Sequence, residues 1–145
     1  MNTHELRDKI VAVLKADSTL QGLLGSSPMK LYYVRPPGAI SDHLPSATYA
    51  IISDAPNLDM DEYGDFAVEV QIDVWTTSID TGEAVHEAVT KALWDKPGSL
   101  SSTNYRVRRV RRSVGTVIQT GQYYESAEII QVVQSWMLQV NDKSF

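Results

Sequence analysis

At 145 residues the chain is long enough to close one core, burying roughly 70% of the surface its unfolded form exposes, without disulfide or metal staples. It contains no cysteine, which excludes disulfides, thiolate zinc sites, iron–sulfur clusters and a thiol nucleophile together. A net charge of -5 and a pI near 5.1 argue against a general nucleic-acid coat, because duplex affinity comes mainly from Lys and Arg neutralising phosphates.

Met1 to Asp8 carries charge and no apolar leader segment, and no run approaches the ~18 apolar residues of a spanning helix. An initial cytoplasmic location and no membrane are expected. Asn2 to Ala16 reads as an amphipathic helix, with Leu6, Ile10, Val13 and Leu14 on one stripe and Asn2 with Glu5 as a capping box. Asp17 or Ser18 caps a short helical hook through Leu20, Leu23 and Leu24, which Gly25 ends.

Leu31 to Val34 is a short strand candidate. Pro36, Pro37, Gly38 and Pro45 then make Arg35 to Pro45 a long loop or arm. Ala47 to Ser53 and Phe66 to Thr76 form the clearest strand pair. In the second, Phe66, Val68, Val70, Ile72 and Val74 share one face, and Glu69, Gln71 and Asp73 the other. Between them Asp54, Asp59, Asp61, Glu62 and Asp65 mark a solvated acidic hairpin, about 54–65.

A further helix is expected from Asp80, as cap, to about Asp95, with Val85, Ala88, Val89, Ala92 and Leu93 as its stripe and Pro97 and Gly98 as its stop. Tyr105 to Ile118 and Ala127 to Val140 read as two long strands, the basic hairpin of about 105–128. The order α-β-β-β-α-β-β predicts a single α+β domain over 1–145. It should be a two-layer sandwich: a mixed or mostly antiparallel sheet of about five strands with two helices on one face.

Chemistry-bearing residues are scattered. His4, His43 and His86 stand singly, in a helix start, a Pro-rich loop and a polar helix face, and none has a carboxylate or nucleophile at informative spacing. Asp59, Asp61 and Glu62 lack the glycine and closing glutamate of a calcium loop, so a solvated tip is the better reading. No phosphate-cradling glycine loop or activated serine setting occurs. No catalytic, cofactor-binding or metal-binding residue is therefore assigned, no cofactor is expected, and the chain is expected not to be an enzyme.

The unusual feature is Arg106, Arg108, Arg109, Arg111 and Arg112 within one expected strand. Strict alternation puts Arg106, Arg108 and Arg112 on one face and Arg109 and Arg111 on the other. An unpaired buried arginine costs several kcal/mol, so this strand must leave the core, bulge or meet acids on a partner. One reading is a charged edge that discourages aggregation. The other is an interface, with the arginines meeting acids such as Asp59, Asp61 and Glu62 of an adjacent subunit, or facing DNA. Tyr32, Tyr33, Tyr123 and Tyr124 beside loops either anchor an interface or seal strand ends. Trp75, on the polar side of its strand, is either buried by a partner or packed under a loop, whereas Trp94 and Trp136 are core candidates.

Leu14-Lys15-Ala16-Asp17 with Leu20 and Leu23-Leu24-Gly25, then Leu31-Tyr32-Tyr33 leading into Arg35-Pro36-Pro37-Gly38, begin a distinctive succession. Leu44-Pro45 ahead of Thr48-Tyr49, and Val70-Gln71-Ile72-Asp73-Val74-Trp75 before the helix to Leu93, complete it. In order and spacing this succession resembles the tail-completion, or head-to-tail joining, tail terminator-like family of siphophages and prophages, over roughly Leu6 to Leu138. The resemblance implies a structural virion-assembly protein that forms a ring, a hexamer, at the head-proximal end of the tail. There it would end tube polymerisation and join the tail to the head connector. Implied partners are further copies of itself, the tail tube protein and the head connector protein, with DNA passing without sequence specificity. The implied location is the virion tail, after assembly in the host cytoplasm. The dense arginine strand and the acidic hairpin depart from a generic member. The alternative is a nucleic-acid-binding module using Arg106 to Arg112.

Overall fold

The computed structural model describes residues 3–56, 64–120 and 129–143, with 114–120 described as backbone. The first helix, α1 (Thr3–Ala16), buries Leu6, Ile10 and Leu14 as its stripe requires. Asn2, the expected partner of Glu5 in a capping box, lies outside the described residues; Glu5 Oε2 accepts from Asn104 Nδ2 at 3.0 Å. The expected hook is α2 (Ser18–Leu24), where Asp17 Oδ1 accepts from the Leu20 amide at 2.9 Å and Gly25, at φ 89°, supplies the turn that ends it. Both cap assignments thus hold, because a short carboxylate satisfies a first-turn amide and only glycine enters that conformation without strain.

The strands are β1 (Leu31–Tyr33), β2 (Ser46–Pro56), β3 (Asp65–Thr76), β4 (Tyr105–Thr120) and β5 (Ile130–Asp142). They form one sheet in the order β1-β2-β3-β5-β4, parallel between β1 and β2 and antiparallel elsewhere. The α+β class and the mostly antiparallel sheet are as expected. In the loop between β1 and β2, Ile40–His43 forms a 3-10 turn in which the His43 ring bonds the Pro37 carbonyl and meets Tyr32 edge-on.

Helix α3 (Ile79–Leu93) packs on β3, β5 and β4. Its cap is Ser78 and not Asp80: Ser78 Oγ accepts from the Thr81 amide at 3.4 Å. Below it lie Phe66, Val68, Val70, Ile72 and Val74 of β3 and Val132, Trp136, Leu138 and Val140 of β5, all buried. Helix and sheet approach so closely at Gly82 that an added Cβ would stand 2.7 Å from Val132 Cγ2.

Two expectations about this layer are corrected. Trp94 is 46% exposed and meets the wholly buried Trp136 only edge-on, with ring centroids 6.0 Å apart; α3 has ended there, so its apolar stripe no longer aims the side chain inward. His86 does not face water. It is 3% exposed, with Nε2 donating to the Val132 carbonyl at 2.8 Å, because Gly82 one turn earlier lets this part of the helix sink onto β5. Beside it a buried polar chain runs from Trp136 Nε1 to Gln134 Oε1, from Gln134 Nε2 to Thr90 Oγ1, and from Thr90 Oγ1 to the His86 carbonyl.

Candidate assembly interface

The arginine strand is β4, and its pairing with β5 is broken by bulges, the first between Val107 and Arg109. A bulge inserts an extra residue and reverses the alternation beyond it. Arg106 pairs with Asn141, Arg109 with Gln139 and Arg111 with Met137, all on the sheet face opposite the helices. Arg112 pairs with the buried Trp136 and so points to the helix side, where it borders a cavity of about 250 Å³ with Glu83, His86, Glu87 and Thr90. Arg108 falls at the bulge, half-buried and engaged by other groups. The division read from strict alternation is therefore wrong: Arg106 shares a face with Arg109 and Arg111, not with Arg112.

Arg106, Arg109, Arg111 and Arg112 are exposed. Among the described residues no carboxylate stands within 4.0 Å of them; the two ion pairs seen are His4–Asp8 and Lys91–Glu87, both on helix surfaces. Beside the basic edge, β5 presents Gln139 and Asn141, and beyond it β3 presents the half-buried Glu69; Asp65, expected in a solvated acidic hairpin, is instead 5% exposed, its Oδ1 accepting from Asn141 Nδ2 at 2.8 Å. Positive charge thus occupies one margin of this face and negative charge its middle.

The opposite end of the same face is closed. Trp75 is 8% exposed and its Nε1 donates to Thr48 Oγ1 at 3.0 Å, so it is already buried by its own chain. Asp73 beside it is buried, and its carboxylate accepts from Gln71 Nε2 at 3.0 and 2.9 Å and from Gln131 Nε2 at 3.1 Å. Burial pushes the Asp73 pKa up, and the two amides only partly offset it. This polar cluster went unnoticed in the sequence, although Gln71 and Asp73 at i and i+2 on one strand face were its signal.

At the β1 margin the chain turns sharply. The Arg35 amide donates to the Tyr33 carbonyl at 2.7 Å across Val34, which sits at φ 67°, a conformation that costs a β-branched residue strain. Val34 and Tyr33 are exposed there, as is Ile52 on β2. Arg7 of α1 stacks over the Tyr33 ring at 4.3 Å, and Tyr33 meets Tyr49 at 5.4 Å. Asp59, Asp61, Glu62, Tyr123 and Tyr124, the other expected interface residues, lie outside the described residues.

A five-stranded sheet with helices on one face and a charged strand edge belongs to a small α+β protein. Residues 8–125 match the family described as tail completion protein gp17, and the chain belongs to that family of phage tail-assembly proteins. Its fold is similar to that of a chain in the virion of a native gene transfer agent (GTA) particle, with a TM-score of 0.67, 19% identity and 90% of each chain covered. A comparison with curated proteins finds no match. Among the described residues no helix is long and apolar enough to cross a membrane.

Proposed function

We propose that the chain is a one-domain, non-enzymatic subunit that closes into a ring, a hexamer, at the head-proximal end of a phage tail. The ring ends polymerisation of the tube and presents a surface to the head connector. Its partners are other copies of itself, the tube protein and the connector protein. It resides in the virion after assembly in the host cytoplasm.

The observation that carries this reading is the exposed arginine column on one margin of a sheet whose acids lie elsewhere, in a chain of the tail-completion family. Opposite charges on different parts of the sheet suit head-to-tail contacts, where one patch of a subunit meets a different patch of the next. A terminator must also offer a face on which no further tube subunit fits, which selects for shape and charge rather than for reactive groups. Electron micrographs and light scattering of the protein, alone and mixed with tail tubes, test it: rings and capped tubes are expected, and monomers under both conditions would refute it.

The exposed Arg106, Arg109 and Arg111 also favour a second reading, phosphate contact with nucleic acid. That reading requires DNA affinity that falls steeply between about 50 and 200 mM salt. Ring assembly requires no affinity for DNA.

A further inference from the structure

The sheet has two free margins, and they lie at the same height. On one side β1 covers only Ala47, Thr48 and Tyr49 of β2, so among the described residues no strand pairs with the outer side of Ala50–Pro56. Ile52 through Pro56 are exposed, and Ile52, 51% exposed, sits where the register shifts between Ile51 and Ser53. On the other side, among the described residues, β4 pairs with β5 alone. Its first residues are covered by a turn: the Val107 amide donates to Ser101 Oγ at 2.9 Å and the Ser102 amide to the Tyr105 carbonyl at 3.0 Å. From Arg109 onward that cover ends.

The registers place these margins level. Ser53 pairs with Glu69, Glu69 with Met137, and Met137 with Arg111. Two rows further, Ala55 pairs with Ala67, Ala67 with Gln139, and Gln139 with Arg109. The exposed half of β2 and the exposed part of β4 therefore stand at opposite ends of the same rows. Three antiparallel steps separate them, so β4 runs antiparallel to β2.

We infer that neighbouring copies join by strand addition, the Arg109–Arg112 margin of β4 in one copy pairing antiparallel with the Ile52–Pro56 margin of β2 in the next. The inference rests on the ring reading and names its joint. A copy carried around an axis along the strands, without stagger, brings these margins together, while β1 blocks the other half of β2. An unpaired strand edge is a template of amides and carbonyls, and pairing it satisfies them.

The side chains suit the pairing. Arg111 would face Ser53 of the next copy, and beyond that small residue stands Glu69, within the span of two long side chains. Arg109 would face Ala55, which leaves it equal room. On the helix side, Arg112 lies diagonal to the exposed Asp54, the separation at which long side chains across paired strands still meet. Arginines at this edge thus repel a second β4 margin and accept a β2 margin. That reconciles a guard against indiscriminate aggregation with a specific joint.

Because the chain has no cysteine, disulfide trapping is unambiguous. Opposed residues of an antiparallel pair stand about 4.5–5.5 Å apart at Cα, within disulfide range. The double variant Ser53→Cys/Arg111→Cys, oxidised after assembly, is expected to give a covalent ladder on a non-reducing gel ending at the ring's subunit number. The pair Glu83→Cys/Arg111→Cys, with one site on α3, is expected to give none. If the double variant does not assemble, amide hydrogen exchange of the unmodified protein decides: protection of the 52–56 and 109–112 amides on assembly supports the joint. Rings without a ladder, a ladder equal to that of the control, or rings with unprotected amides would overturn the joint and leave the ring reading standing. Absence of rings from the unmodified protein would overturn both.

Discussion

His86 Nε2 donates to the Val132 carbonyl oxygen, tying the middle of α3 to the interior strand β5 through a histidine whose Nδ1 has no partner among the described residues. A carbonyl can only accept, so Nε2 carries a proton, and a ring buried with Nδ1 unpartnered is neutral at ordinary pH. Burial holds its pKa down to about 4, an effect that the Val132 carbonyl opposes and the Arg112 charge reinforces.

Acid should therefore loosen the fold through this residue. The unfolded chain protonates His86 near the ordinary value of 6.5 and the folded chain near 4, so the stability that the neutral ring confers is complete above 6.5 and is lost as pH falls toward 4. The full loss is of order 3 kcal/mol as an upper bound. Asp73, with its raised pKa, acts in the opposite sense, gaining stability on acidification. Denaturant unfolding of the wild type and of His86→Gln across pH 7 to 4 separates the two, because Asp73 contributes to both proteins. The wild type is expected to lose more stability than the variant, and parallel curves would refute the assignment.

Gly82 is required by space and not by backbone freedom. Gly82→Ala would gain about 0.5–1 kcal/mol of helix propensity. Its new Cβ would, however, stand 2.7 Å from a branched side chain that β5 holds in the core. Overpacking of this kind costs about 1–3 kcal/mol, so a net fall of several degrees in thermal midpoint is expected. A rise would mean that α3 can move outward freely.

Trp75 offers a test of which face is engaged. Trp75→Phe removes the hydrogen bond to Thr48 and should cost about 1–2 kcal/mol in unfolding experiments. Because the ring is buried by its own chain, subunit assembly by light scattering should not change. A variant of unaltered stability that fails to assemble would return Trp75 to the interface.

Charge reversal at the free margin should separate folding from assembly. Arg109→Glu with Arg111→Glu changes exposed side chains that no carboxylate of the described chain engages. Circular dichroism and midpoint are expected to stay close to those of the wild type, with a monomer by size-exclusion chromatography. Normal rings would show that these arginines do not serve the contact.

The cap of α2 is a smaller test. Asp17→Ala leaves the Leu20 amide without its acceptor and should cost about 1 kcal/mol in denaturant unfolding. Asp17→Asn, which keeps an oxygen there, should cost less.

Much of this architecture was legible because period and burial agree. The Phe66 to Val74 alternation and the Leu6, Ile10, Leu14 stripe can bury their apolar atoms in only one way each. The arginine faces were not legible, since a bulge is set by backbone pairing with β5 and leaves no mark in the side-chain pattern of β4 itself. His86 misled because it sits beside the Val85 and Val89 stripe, and only the closeness allowed by Gly82 decides that it goes under. The level alignment of Ser53 with Arg111 depends on three successive registers, none of which a single segment encodes.

With three residues, β1 covers only Ala47 to Tyr49 of β2, and under the proposed joint it would work as a doorstop on the sheet. A longer β1 would shut the outer side of β2 entirely, and no neighbour could enter. Without it the whole outer side of β2 would lie bare, and strands joined there could slide past one another by two residues and still find partners. Under the proposed joint, length at this one position would set how far along β2 an incoming strand advances before it stops.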